Sequence, residues 1–144
     1  MRRSFLWAML AYLVPTFLLG YVWHLVLFTD YYHALNIYRP DVIVPFGFLS
    51  MLVQGAIFAG VYQKLTAEPW RFASGMRFAA LAALLSWSFT TLAVAAKHPM
   101  TSITGFVTIE TAFTVVQYLL VGPLLALSAR VSGSRSYSTS RSPA

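Results

Sequence analysis

The sequence contains no cysteine, which excludes disulfide bonds, thiolate metal sites and thiol catalysis. Charge is also scarce. Only 10% of the 144 residues are charged and four are acidic, whereas about a quarter of the residues in a typical globular protein are charged. Hydrophobic residues make up 58% of the chain and are collected in long stretches. This composition is typical of a membrane protein, because a soluble core of this size would need a charged shell.

Four apolar segments lie at about residues 5–28, 42–65, 72–96 and 103–129. Each is long enough to cross a hydrocarbon core of about 30 Å, which needs roughly 20 helical residues. Residues 78–85 are helix formers and show no alternation of apolar and polar positions. Because the connections are short, sequential spans are expected to lie side by side. We therefore predict an all-α membrane protein with one domain, residues 1–130, folded as an up-and-down antiparallel bundle of four transmembrane helices.

The distribution of lysine and arginine predicts the orientation. The face that holds both termini and the second connection carries eight basic residues, and the opposite face carries Arg39 and Lys97. The eight are Arg2, Arg3, Lys64, Arg71, Arg77, Arg130, Arg135 and Arg141. The positive-inside rule then places both termini in the cytoplasm. We expect the protein to lie in the cell inner membrane. The net charge of +6 is explained by membrane lipids as partners and does not require nucleic acid.

Two segments outside the spans have distinct compositions. Residues 131–144 are basic and rich in serine, so we expect a disordered cytoplasmic tail. Residues 29–41 carry Tyr31, Tyr32 and Tyr38, and we expect a short helix in the periplasmic interface, ended by Pro40. These tyrosines either belong to an aromatic belt at the membrane surface or cover a cavity between the spans.

Glu110 is the most informative residue, because it lies roughly 12 Å below the periplasmic surface if the fourth span is a helix. A carboxylate at that depth costs a few kcal/mol unless it is protonated or has partners. The other spans also place polar residues in the outer half of the bilayer. We predict a polar pocket lined by Glu110, His24, Gln54, Thr90, Thr91 and Gln117.

The predicted pocket has two interpretations. Its residues could only bond helices to one another, helped by small residues that let backbones approach. Alternatively, His24 and Glu110 could relay protons or bind an ion, because imidazole titrates near neutrality. No nucleophile, metal motif or phosphate-binding loop is recognisable, so neither an enzyme nor a cofactor is expected.

Two functions remain open at this point. The protein could bind or pass a small solute, an ion or protons through the pocket. It could instead be a structural or accessory subunit of a membrane complex, whose partners are further copies of itself or other membrane proteins. In that case the small residues at 55–60 are the expected contact face.

Residues Gly20, Tyr21, Val22, Trp23 and His24, with Phe28 and the tyrosine-rich connection that follows, resemble small four-span bacterial inner-membrane proteins classed as a domain of unknown function. The resemblance covers the first span and its loop. It implies the four-span topology and carries no activity.

Overall fold

The computed structural model describes residues 2–39 and 41–138, and all the regular structure in these ranges is helical. The first long helix continues without a break into a π-helical segment, and the third long helix continues through a second π-helical segment into a short helix. The elements are α1 Arg2–Val22, the π-helical Trp23–Leu27, α2 Thr29–Ala34, α3 Val44–Leu65, α4 Phe72–Trp87, the π-helical Ser88–Leu92, α5 Ala93–Ala95 and α6 Ile103–Ser138.

The prediction of four membrane-spanning helices is confirmed by their length and apolar composition. The spans are Arg3–Leu27, Val44–Leu65, Phe72–Ala95 and Ile103–Val131. The connection that holds α2 and the connection between α5 and α6 lie at one end of the bundle, which we call the α2 end. The turn between α3 and α4 lies at the other end, which we call the turn end.

The helices do not all pack against their neighbours in sequence. Close packing joins α1 to α3, α1 to α6 and α4 to α6, so the first and last spans form the centre. The expectation that every pair of sequential spans lies side by side is therefore wrong for α3 and α4. Phe78 of α4 touches Phe58 and Tyr62 of α3, with ring centroids 5.8 and 5.1 Å away, but a cleft separates the two backbones.

The helices α4 and α6 approach each other closely at Gly75 and Gly122. A Cβ atom on Gly75 would lie 2.3 Å from the carbonyl oxygen of Gly122, a distance that no real side chain tolerates. Only glycine allows these backbones to meet, and close approach of this kind is a common source of helix association in membranes.

The last helix is longer than predicted. It continues to Ser138, into the segment for which we expected disorder, and the rest of the predicted tail, residues 139–144, lies outside the described residues. Extending an existing helix forms one hydrogen bond for each residue that becomes ordered, whereas starting a helix is unfavourable. A polar sequence that follows a long helix can therefore remain helical without burying side chains.

The connection between the first two spans contains a short helix, α2, as predicted, and Pro40, which was expected to end it, lies outside the described residues. The helix ends at Ala34, and Asn36 follows in the left-handed conformation with φ 56°. The third connection then fixes this end in place: Thr101 donates its hydroxyl to the carbonyl of Ala34 at 2.8 Å and its amide to that of Leu35 at 3.2 Å. As a result, α2 is held over the end of the bundle.

Candidate functional site

His24 lies in the π-helical segment that ends the first span. Its Nδ1 atom is 3.0 Å from the carbonyl oxygen of Gly20, one turn earlier. Single π-helical turns inside α-helices occur frequently at functional sites, because the wider turn rotates the following side chains and frees backbone groups. Here the carbonyl of Gly20 holds the imidazole so that its Nε2 atom points away from its own helix towards α6.

Glu110 of α6 is the residue that this imidazole contacts. The Nε2 atom of His24 lies 3.3 Å from Oε1 of Glu110, and the hydroxyl of Tyr32 donates to the same oxygen at 2.6 Å. The side chains of His24 and Glu110 are 22% and 12% exposed. The carboxylate that the sequence singled out is therefore buried and has two hydrogen-bonding partners, one from the first span and one from α2.

Tyr32 covers this pair. Its side chain is fully buried, and its ring stacks on Tyr38 with centroids 5.0 Å apart and an angle of 5° between the planes. Burial, followed by the nearby carboxylate of Glu110, raises the pKa of Tyr32 far above its usual value. The phenol therefore stays protonated and acts as a donor. Of the two interpretations of the loop tyrosines, Tyr32 fits the cover over a cavity, while Tyr31 is exposed.

A small cavity lies beside the pair. It has a volume of about 190 Å³, is bounded by α1, the start of α3 and the loop before it, and includes His24 and Tyr38 in its lining. The rest of its wall is mostly apolar, with Gly20 and Gly47 leaving room at two places. The imidazole of His24 therefore borders an open cavity.

A second group of polar residues lies deeper in the bundle. Gln117 of α6 donates to the hydroxyl of Thr16 at 3.2 Å, and the hydroxyl of Tyr12 donates to Gln54 of α3 at 2.5 Å. On the other side of α6, the hydroxyls of Tyr118 and Ser86 are 2.6 Å apart. Each of these bonds joins two different helices.

The two groups lie along one stripe on each central helix. Tyr12, Thr16, Gly20 and His24 follow each other at a spacing of four residues on the first span, so they share a face. Glu110, Thr114 and Gln117 form the matching stripe on α6, and all three are buried. The predicted pocket includes His24, Glu110 and Gln117 but not Tyr12 and Thr16, although their regular spacing before His24 is visible in the sequence.

The six residues of the predicted pocket do not form one cluster. The structure brings His24 and Glu110 into contact and places Gln54 and Gln117 in the deeper group. Thr90 is on the exposed side of the third span, where its hydroxyl bonds to the carbonyl of Ser86 at 2.9 Å. Thr91 is fully buried, and its hydroxyl has no hydrogen-bond partner in the part of the chain that the structure describes.

The polar stripe ends halfway along the bundle. Towards the turn end, its place is taken by a compact apolar core that includes Val121 and Leu125 of α6, which are 1% and 0% exposed. Ala59 and Ala79 pack against the same core. The site therefore lies towards the α2 end, and apolar side chains separate it from the turn end.

The donor set is poor in metal ligands. Among residues 2–39 and 41–138, no three His, Cys, Asp or Glu side chains lie close enough together to hold a metal ion. His24 and Glu110 alone would supply two ligands. The arrangement is better suited to sharing a proton, because an imidazole nitrogen and a carboxylate oxygen already face each other.

Comparison with known proteins gave no match: no family model, no curated protein and no solved structure is similar to this chain at a significant level. The resemblance to small four-span bacterial proteins therefore remains a prediction. The function must be inferred from the geometry of the site.

Proposed function

We propose that this chain is a small four-span membrane protein that binds protons at His24 and Glu110, from one side of the membrane. Proton uptake or release at this pair would be the event to which the rest of the bundle responds. The sequence is compatible with binding of a small solute, an ion or protons, and of these we propose protons.

The main support for the proposal is the environment of Glu110. Its carboxylate is buried inside a membrane span and has one titratable partner, His24, together with one donor that remains protonated, Tyr32. A net charge in this position is costly, so one proton shared between carboxylate and imidazole, which leaves the pair neutral overall, is favoured over two protons or none. Changes of proton occupancy therefore alter the contact between the first and last spans.

The apolar core towards the turn end supports binding over free passage. Val121 and Leu125 follow Gln117 along α6 and separate it from Ser128, the next buried polar side chain on that face of the helix. Following the positive-inside rule, we place the α2 end in the periplasm of a bacterial inner membrane and both termini in the cytoplasm. The site would then respond to periplasmic pH.

The test is the pH dependence of thermal stability of the purified protein in detergent, from about pH 5 to about pH 8, where imidazoles titrate. We expect the melting temperature of the wild type to depend on pH, and this dependence to be lost in Glu110→Gln and in His24→Gln. Stability depends on pH only where the folded and unfolded states bind different numbers of protons. Asp30→Asn and His33→Gln are the matched controls, because both side chains are exposed at the same end of the bundle.

The rival function is a structural or accessory subunit, in which the polar groups only join helices. It is supported by the deeper hydrogen bonds, such as Tyr12 to Gln54, which link separate spans. In that case Glu110→Gln and His24→Gln lower the melting temperature equally at every pH, and the slope with pH stays as in the wild type. The predicted contact face at residues 55–60 is already used within the chain, because Gly55 packs against Met9 and Tyr12.

A further inference from the structure

A cleft lies between α3 and α4, at the end of the bundle away from His24 and Glu110. Its volume is about 580 Å³, and it begins at the turn between the two helices. The walls are apolar side chains from both helices: Ile57, Val61, Leu65, Phe78, Leu81 and Leu85. Leu65 and Leu81 are 80% and 71% exposed, so the cleft is open to the side of the bundle.

The dimensions of the cleft fit a single hydrocarbon chain. On α3 the lining runs from Ile57 to Leu65, about 12 Å at 1.5 Å per residue, and continues into the turn as far as Glu68. The helical part is shorter than one leaflet, which is half of a hydrocarbon core of about 30 Å. Spread over about 12 Å, 580 Å³ gives a mean cross-section of roughly 48 Å². A helix about 10 Å across is too thick for it, whereas an extended acyl chain is not.

A positive charge lies at the outer part of the cleft. Arg77 lines it five residues after the start of α4, about 8 Å into the helix, together with Ser74. The guanidinium makes no hydrogen bond or ion pair with any residue that the structure describes. A cation at this depth is unfavourable unless it reaches the headgroup region or acquires an anionic partner.

A second copy of the chain does not provide that partner. The sequence has four acidic residues, and Asp30, Asp41 and Glu110 belong to the opposite half of the spans and their loops. Glu68 lies near Arg77 but is bound by Arg71 at 2.7 Å. A phospholipid phosphate, in contrast, is an anion at the right height, and arginine binds phosphate oxygens through two parallel N–H donors.

We propose that the cleft between α3 and α4 binds one acyl chain of an anionic phospholipid, with the lipid phosphate held by Arg77 and the hydroxyl of Ser74. In the orientation proposed above, this lipid belongs to the cytoplasmic leaflet, where anionic headgroups attract basic residues. The site is independent of proton binding at His24 and Glu110, and either proposal can fail without the other.

The experiment is native mass spectrometry of the purified protein in detergent with added phosphatidylglycerol, phosphatidylcholine of the same acyl chains, or inorganic phosphate. We expect one phosphatidylglycerol to bind about tenfold more tightly than phosphatidylcholine, because both carry the phosphate but the ammonium group of choline cancels its charge. Arg77→Gln should abolish this preference. Lys64→Gln is the matched control: Lys64 is exposed at the same end but does not line the cleft. Val61→Trp, which fills the cleft, should weaken binding of both lipids.

Several results would overturn the proposal. Equal affinities for the two lipids would show that the headgroup charge, and therefore Arg77, has no part in binding. An equal loss in Arg77→Gln and Lys64→Gln would show general attraction between basic residues and anionic lipid. Binding of inorganic phosphate as tight as that of the lipid would show that the apolar cleft has no part. If Val61→Trp converts a dimer to a monomer without changing lipid binding, the cleft is a contact between copies of the chain. Because Arg77 is exposed, its substitution tests the proposal even where Val61→Trp fails to fold.

Discussion

The Nε2 atom of His24 lies 3.3 Å from Oε1 of Glu110, although 86 positions separate the two residues in sequence. The contact joins the first span to the last, the two helices at the centre of the bundle. Any change in the charge of either side chain therefore acts directly on the packing of α1 against α6. The covering helix α2 shares in this contact through Tyr32, which bonds to the same carboxylate oxygen.

The Tyr32→Phe substitution is predicted to lower stability, because it removes the hydroxyl that donates to Glu110 and leaves the carboxylate with one partner fewer. A lost hydrogen bond to a charged group costs about 1.5–3 kcal/mol, and about 1 kcal/mol shifts the melting temperature of a chain of this size by about 4 °C. Thermal unfolding in detergent measures the difference. Tyr31→Phe is the control, because its exposed hydroxyl has no hydrogen-bond partner among the described residues, and a similar loss in that variant would contradict the prediction.

The Thr91→Val and Thr16→Val substitutions are predicted to have different effects, although both threonines are buried in spans. The hydroxyl of Thr91 has no partner in the described chain, so valine of nearly the same shape should leave the melting temperature unchanged or raise it. The hydroxyl of Thr16 accepts from Gln117, and its removal leaves a buried amide unpaired at a cost of about 1–3 kcal/mol. Equal melting temperatures of the two variants would show that the assignment of these hydrogen bonds is wrong.

The sequence predicted the helical spans well because they depend on length and apolar composition alone. It also predicted that His24 and Glu110 lie at similar depths, since depth follows from counting residues along a helix. It could not predict which side of each helix faces the bundle. Thr90 and Thr91 are neighbours, yet the first is exposed and the second is fully buried. They lie in a π-helical segment, whose wider turn shifts the face that a regular helix would present.

The arrangement of the helices could not be predicted from the sequence either. Short connections indicate neighbours, but the cleft between α3 and α4 shows that a tight turn does not force close packing along the whole length. The close approach of α4 and α6 depends on two glycines, Gly75 and Gly122, at matching heights on the two helices. Many small residues in these spans could have served, and only the three-dimensional structure distinguishes them.

The Gly75→Ala substitution is predicted to be strongly destabilising. Its Cβ atom would lie 2.3 Å from the carbonyl oxygen of Gly122, which is backbone and cannot rotate away, so α4 and α6 must separate. We expect a loss of about 1–3 kcal/mol, as for other overpacked sites, visible as a lower melting temperature. Gly47→Ala in α3 is the control, because nothing lies within 4 Å of its added Cβ atom and alanine favours a helix. The prediction is wrong if the two variants melt together.

The Thr101→Val substitution is predicted to loosen α2 without unfolding the bundle. The hydroxyl of Thr101 donates to the carbonyl of Ala34 at 2.8 Å and is the side-chain link between the third connection and α2. Its loss should cost about 1 kcal/mol of local stability, which corresponds to about fivefold faster hydrogen exchange at the amides of Tyr32 and Leu35. Exchange in the spans should stay the same, since local opening does not require their separation. Thr108→Val, at an exposed position of α6, is the control. If exchange at Tyr32 is unchanged, α2 is held over the site by the contacts of Tyr32 with Glu110 and Tyr38, and not by the hydrogen bond from Thr101.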